Sequence, residues 1–314
     1  MPGMSEPRWW PQAVSWIEAN LAGRVRTGEI ERVRERPWST VATVPTTTGP
    51  VWFKANGPGL LYEAGLLRVL GSLAPDRVIT PLVVDVERGW ALLPDGGTTL
   101  RESGQDGLAA WERLLGEYAV LQRELAPHTA DFLGLGVPDL SPATLTAHLD
   151  RLLGEHELPE VAAARPRFLD WCAELAGSPV PLGLQHDDLH DANVLVDAQG
   201  RYRFFDWGDA SIAHPFTTLL VSLRVAARKF DLDQGAPEIL RLRDAYLEPW
   251  SDLGTPAELH RTLALTTKVG AISRSLAWER ALLEADAESL AEWADAVPGW
   301  LGELVKGPDL AARR

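Results

Sequence analysis

Residues 184–216 read LQHDDLHDANVLVDAQGRYRFFDWGDASIAHPF, and the order of polar and apolar positions in this stretch decides how the chain is read. Two short apolar runs, NVLV at 193–196 and YRFF at 202–205, flank the turn sequence Asp197-Ala198-Gln199-Gly200. β-branched and aromatic residues on both sides of a glycine-containing turn predict a small hairpin. Polar residues gather at its open end. His186, Asp188 and Asn193 precede the first strand, and Asp206 follows the second directly, thirteen positions after the asparagine. A tight loop then presents Asp188, the turn into NVLV carries Asn193, and the returning strand brings Asp206 beside it.

Composition limits what such a cluster can serve. The chain has 314 residues, 46% apolar and 24% charged, the make-up of an ordinary globular protein long enough for two lobes. No stretch approaches the roughly 18 uninterrupted apolar residues of a membrane helix. The opening MPGMSEPRWW lacks a basic head followed by an apolar run, so a secretory leader is not expected. The single cysteine, Cys172, lies in the helical-looking FLDWCAEL and reads as a buried thiol, and a cytoplasmic location is the default expectation. A net charge of −14 argues against nucleic acid or an anionic membrane as partner and would suit a cationic substrate. Only four lysines occur, at 54, 229, 268 and 306, so a well-placed lysine stands out.

Working outward from the hairpin, the upstream third is β-rich. Ala13, Val14, Ile17 and Leu21 share one face of a helix expected over Pro11–Leu21, before Gly23. GEIERVRER, TVATV and GPVWFKA predict three strands, with a turn at Thr46–Gly49 between the second and third. Leu60, Glu63, Leu67 and Leu70 follow helical spacing, and PLVVDV and GWALLP predict two further strands, ending at Asp95-Gly96-Gly97. This order builds a small antiparallel sheet with a helix packed on it. Downstream the texture is helical. Trp111, Leu114, Leu115, Tyr118, Leu121 and Leu125 form one apolar stripe, read as core. Ser141-Pro142 offers a helix start, Gly177 a stop, and Thr255–Glu258 a capping box opening a helix to about Leu283. A final amphipathic pair surrounds Trp293 and Leu304. The fold class expected is α+β and bilobal, with lobes at 1–97 and 98–314.

The polar cluster has a definite chemistry. Read as H-x-D-L-x-x-x-N and then D-W-G, it has the shape of a kinase catalytic loop and metal-binding turn. Phosphoryl transfer needs a group to hold the acceptor hydroxyl, oxygen ligands for a metal on the triphosphate, and a cation near the phosphates that stay behind. Asp188 fits the first role as base. The amide oxygen of Asn193 and the carboxylate of Asp206 are hard ligands suited to Mg²⁺.

LQHDDLHDANVLV followed by FFDWGD resembles the aminoglycoside phosphotransferase and choline kinase superfamily, relatives of the protein kinases. Members commonly show H-G-D-L-H-x-x-N in the loop and D-W or D-F at the metal turn; here Asp187 stands in place of the glycine, and His190 fits the second histidine. The resemblance implies a protein-kinase-like fold, ATP and Mg²⁺ as cofactors, and a small-molecule acceptor. It assigns Lys54 to the α- and β-phosphates, with Glu63 as the partner that orients it. A strand lysine that directly follows Trp52 and Phe53 is expected to be partly buried and to need such a counter-charge.

No G-x-G-x-x-G covers the phosphates. Arg36-Pro37-Trp38-Ser39-Thr40 stands between the first two strands, and the resemblance makes Ser39 and Thr40 candidates for donating to phosphate, with an ordinary turn as the alternative. Adenine is expected against Leu92–Asp95, reading backbone groups around Leu93. Asp187 where protein kinases place an arginine, and no A-P-E after D-W-G, argue for an acceptor smaller than a protein. Asp209, Arg274, Trp278 and Glu279 are candidates for the acceptor pocket. If Asp187, Asp191 and Asp209 surround the acceptor, the field favours amine-bearing molecules (amino sugars, aminoglycosides or amino alcohols) over phosphorylated or carboxylate substrates. The alternative is a nucleotide-binding pseudokinase without turnover, although Lys54, Asp188, Asn193 and Asp206 are all present.

Overall fold

The computed structural model describes residues 8–306, so Met1–Pro7, most of the opening segment discussed above, lie outside the described residues. Helix α1 (Trp10–Ala19) precedes an antiparallel sheet of β1 (Glu31–Arg36), β2 (Ser39–Val44), β3 (Val51–Asn56), β4 (Val83–Asp85) and β5 (Trp90–Pro94), in the order β1-β2-β3-β5-β4. Helix α2 (Tyr62–Leu73) lies between β3 and β4 in the chain. The expected elements are all present, with PLVVDV reduced to three strand residues and the first strand starting at Glu31.

The pleat gives the sheet two faces. Trp10, Ala13, Ile17 and Leu21 of the first helical segment pack with Ala42, Val44, Val51, Phe53, Ala55 and Leu92. Trp16 and Trp90 close this cluster with ring contacts at 5.7 Å. The sheet therefore carries α1 on one face as well as α2 elsewhere, where the sequence led us to expect one packed helix. The alternate residues of β3, Trp52, Lys54 and Asn56, point to the opposite face.

After Pro94 the chain crosses into the helical part. Gly97, with φ at +91°, turns it into β6 (Thr98–Thr99), which pairs with β8 (Val194–Val196); β8 in turn pairs with β9 (Tyr202–Phe204). The predicted hairpin is thus the middle and edge of a three-stranded sheet whose third strand is the connection itself. Helices α3 (Leu108–Leu125), α4 (Thr129–Gly134), α5 (Pro142–Glu155) and α6 (Pro159–Ala176) come before β7 (Gly183–Gln185), which pairs with β10 (Ser211–Ala213). The helices α7 (Leu219–Lys229), α8 (Pro237–Leu247), α9 (Pro256–Ala281), α10 (Ala287–Glu292) and α11 (Ala296–Lys306) complete the fold.

The apolar stripe of α3 is core as expected, with Trp111, Leu114, Leu115, Tyr118 and Leu121 fully buried. It shares one cluster with Leu66, Leu67 and Leu70 of α2 and with Leu189, Val194, Phe204 and Trp207 around the hairpin. Helix α9 begins at the capping box read from the sequence: the Thr255 hydroxyl accepts from the Glu258 amide while the Glu258 carboxylate accepts from the Thr255 amide at 2.8 Å. Cys172 is buried, and burial pushes its thiol up to about 11. No helix among the described residues is long and apolar enough to cross a membrane.

A second seam joins the two parts at Gly59, whose built Cβ would lie 2.1 Å from the Arg280 carbonyl oxygen of α9. Neither backbone can yield without moving a helix. Gly59→Ala is expected to lower the unfolding free energy by about 1–3 kcal/mol; an unchanged urea midpoint would show that the seam is not tight.

Candidate active site

Three elements bring three charged groups together. Lys54 of β3 places Nζ 2.6 Å from the Glu63 carboxylate on α2 and 2.6 Å from Oδ1 of Asp206, which follows β9. Glu63 also accepts from the Trp207 amide at 2.8 Å, so α2 is tied to the turn after the hairpin. Burial opposes charge on the lysine, but Asp206 and Glu63 outweigh it and raise its pKa. Burial would likewise raise the Asp206 carboxyl; Lys54 and Arg34 override it and hold the group well below the usual range. Arg34 Nη2 lies 3.4 Å from Asp206 Oδ2, a cation with no signal in the sequence, since 172 positions separate the two.

The catalytic-loop residues surround this cluster. The Asn193 side-chain amide donates to the Asp188 carbonyl at 2.9 Å and to its Oδ2 at 3.3 Å. The Phe205 amide donates to the Asn193 carbonyl at 3.2 Å, so Asn193 stands next to Asp206 as the hairpin predicts. His186, fully buried, contacts the Phe205 carbonyl at 2.7 Å, and burial lowers its pKa. The Asp188 carboxyl is pushed up by burial yet held down to about 2, by His190 at 3.5 Å and by Arg274 at 3.8 Å.

Two aspartates here have left-handed backbones, Asp187 at φ +58° and Asp206 at +64°. That conformation suits glycine, and aspartate is among the few other residues that tolerate it. Asp187 therefore adopts a backbone conformation that the glycine common at this position of the loop would take without strain. Its carboxylate is buried and accepts from the Ser211 hydroxyl at 2.5 Å.

Register decides the phosphate loop. Arg36 pairs with Ser39, leaving Pro37-Trp38 as a two-residue turn, and Ser39 opposes Asn56 while Thr40 opposes Ala55. Directly opposed residues share a face, so Ser39 lies on the face of Lys54 and Thr40 on the face turned to α1. The Trp38 indole reaches across to α9, edge-on to Trp278 at 5.6 Å and to Trp293 at 5.8 Å. Leu93 opposes Trp52 and so shares the lysine face, half-buried.

The acceptor-side expectations divide. Glu279 is bound to Arg151 at 2.6 Å, a surface pair away from the loop. Arg274 is buried: its Nη1 donates to the Asp187 carbonyl and to Asp209 Oδ2, both at 2.8 Å. Its guanidinium lies over the Trp300 ring at 5.6 Å. Trp278, Trp293 and Trp300 line a cleft of about 460 Å³ with Arg224, Glu292, Asp295 and Glu303. Asp187, Asp191 and Asp209, expected around the acceptor, are not free carboxylates. Each carboxylate is already engaged, by Ser211, by Arg101 and Lys229, and by Arg274.

Among the described residues no group of three or more His, Cys, Asp or Glu could hold a metal alone. Asn193 and Asp206 would offer two hard oxygen ligands. Mg²⁺ commonly takes one or two carboxylates and completes its shell with phosphates and water, so this donor set fits it.

The bilobal fold and this polar cluster define a kinase-like phosphotransferase. The sequence model of the phosphotransferase enzyme family matches residues 58–260, and the chain belongs to that family. It is an enzyme, a phosphotransferase with an alcohol group as acceptor. No curated protein matches the chain significantly. Among solved structures it is similar to a choline/ethanolamine kinase family protein from Mesorhizobium loti, 17% identical over 96% of both chains with a TM-score of 0.62. It is similar to a macrolide 2′-phosphotransferase from Brachybacterium faecium, 18% identical over 98% of this chain and 100% of that one, TM-score 0.57. It is also similar to an amicoumacin kinase solved with AMP-PNP, Ca²⁺ and amicoumacin, 15% identical over 95% and 94%, TM-score 0.61. At these identities the likeness is one of fold.

Burial pushes the Asp187 carboxyl up to about 6, against the Ser211 hydroxyl and the nearby guanidinium groups. A carboxyl raised in the folded state contributes stability that is full below its unfolded value near 4 and lost as pH rises through 6. Asp187→Asn should therefore gain on the wild type between pH 4 and pH 7, by up to ~3 kcal/mol in urea unfolding. A gap that stays constant over that range would show that Asp187 is not strained by its charge.

Proposed function

We propose that the protein transfers the γ-phosphate of Mg-ATP to a hydroxyl of an amine-bearing small molecule, with residues 1–97 as nucleotide lobe and 98–314 as catalytic and acceptor lobe. The observation that carries the ATP reading is the buried Lys54 held between Glu63 and Asp206, on the face it shares with Ser39 and Leu93. Lys54 would neutralise the non-transferred phosphates, with Ser39 at their edge and the backbone around Leu93 against adenine. Asn193 and Asp206 would hold the metal ion, which would supply charge neutralisation to the triphosphate. The complex of a similar kinase with AMP-PNP and Ca²⁺ supports a triphosphate and a divalent ion together.

Asp188 receives the acceptor hydroxyl. A carboxyl held near 2 is a weak base, so its work is to orient the oxygen and take the proton late, as a loose transition state allows. Arg274 is a positioning residue: it grips the Asp187 carbonyl and Asp209 and flanks Asp188. Its desolvation is outweighed by Asp209 and Asp188, so it stays charged.

The amine reading rests on the tryptophan cleft. Trp300 lies under both Arg274 and Arg224, and Trp278 and Trp293 are stacked at 4.8 Å. Glu303 is paired with Arg224, while among the described residues the side chains of Glu292 and Asp295 have no basic partner. Aromatic faces with unpaired carboxylates recognise ammonium groups. An ADP-release screen over amino sugars, aminoglycosides, amino alcohols and plain sugars tests this; preference for an amine-free sugar over every amine would overturn it.

Two substitutions test the machinery on the acceptor so identified. Asp188→Asn should cut kcat by about 10²–10⁴-fold with ATP affinity retained. Arg274→Met should lower kcat about a hundredfold with little change in KM for ATP, and Arg274→Lys should recover part of it. Equal losses in ATP binding would make Arg274 a scaffold residue only.

A further inference from the structure

On the other flank of Asp188 lies a second cleft of opposite character. It holds about 390 Å³ and is lined by Arg101, His190, Val225, Arg228 and Lys229, with no acidic residue in its lining. In a chain of net charge −14, three permanent cations and a histidine gathered on one cavity run against the general field. His190 connects the cleft to the reacting position, since its Nε2 lies 3.5 Å from Asp188 Oδ2.

The cations are held in place from behind. Asp191, with its side chain wholly buried, accepts from Arg101 Nε at 3.1 Å and Nη2 at 2.6 Å, and its other oxygen lies 3.0 Å from Lys229 Nζ. Asp106 also pairs with Lys229. The backbone joins in, with the Arg101 amide donating to the Asp191 carbonyl at 3.0 Å. Arg228 is different. Its side chain is exposed and has no partner among the described residues, so its charge is the one left uncompensated at the cleft. Fixed guanidinium and ammonium donors around one unpaired arginine form a receptor for a planar or tetrahedral oxyanion.

The two oxygens of Asp188 thus look to two environments: Oδ1 to Arg274, which stacks on the Trp300 wall of the acidic cleft, and Oδ2 to His190 of the basic one. We propose that the basic cleft is an anion subsite for the acceptor, which then carries a carboxylate or another oxyanion group in addition to its amine and the hydroxyl placed at Asp188. This rests on the phosphotransferase reading above and narrows its substrate class to dipolar molecules.

Two arms test it, both on the full chain. In the first, inorganic sulfate is titrated into protein saturated with AMP-PNP and Mg²⁺, and the His190 ring signals are followed by NMR. A saturable shift is expected, weakened about tenfold or more in Arg228→Glu. No saturable shift, or equal saturation in the variant, would overturn the site. In the second, ADP release is compared between pairs of acceptors that differ only by a carboxylate, an amino alcohol against the matching hydroxy amino acid. The carboxylated member should be favoured about tenfold in kcat/KM, and Arg228→Glu should abolish the preference. Sulfate binding without any carboxylate preference would make the cleft a site for free anions and overturn its role toward the acceptor. ADP release with no acceptor of any kind would instead count against the phosphotransferase reading, while the sulfate arm still decides whether the cleft binds an anion.

Discussion

Everything in this fold that concerns chemistry is arranged around one buried ammonium group. Lys54 is 7% exposed, and a lysine so placed is tolerated only if its charge is met. The two carboxylates that meet it come from different parts of the chain: Glu63 from the helix after β3, Asp206 from the far end of the catalytic hairpin. Glu63 also receives the Trp207 amide. The contact therefore sets the distance between sheet, α2 and hairpin at once.

Around that contact the structure uses backbone as much as side chain. The connection between the lobes is drawn into the hairpin sheet by β6, so the strands that carry Asn193 and Asp206 are tied to the segment expected beside adenine. Gly96 and Gly97 make this possible. A Cβ at Gly96 would come within 2.4 Å of Leu195, and Gly97 has a left-handed backbone. The left-handed aspartates, Asp187 and Asp206, likewise turn the chain sharply on either side of the hairpin.

Electrostatics near the loop do not follow from counting acidic residues. Asp187, Asp191 and Asp209 lie close to the catalytic loop, yet each is spent internally on a hydroxyl or a cation. What faces outward is set by which charges remain unpaired, Glu292 and Asp295 on one side and Arg228 on the other. Tryptophan supplies the walls, and the reach of Trp38 to Trp278 and Trp293 ties the turn between β1 and β2 to the C-terminal helical part.

The sequence by itself determined the local order. β-branched runs between turns placed the sheet strands, helical spacing placed α1, α2 and α3, the capping box marked the start of α9, and the hairpin flanked by Asp188, Asn193 and Asp206 was legible because its signals lie within about twenty residues. Glu63 was paired with Lys54 through the family resemblance, since any amphipathic helix carries glutamates, and the folded chain brings the two within 2.6 Å. What only the tertiary structure decided came from contacts between distant segments, which leave no spacing to read: α1 covering the outer sheet face, β6 joining the hairpin, and Arg34 at Asp206 across 172 positions. Arg274 and Glu279 looked alike in one helix, five residues apart, and their rotation about its axis separated a buried contact to Asp188 from a surface pair with Arg151. Ser39 and Thr40 were likewise inseparable until strand register assigned them to opposite faces. Pairing of charges is a three-dimensional property, and so the character of the two clefts beside Asp188 appeared only once the chain was folded.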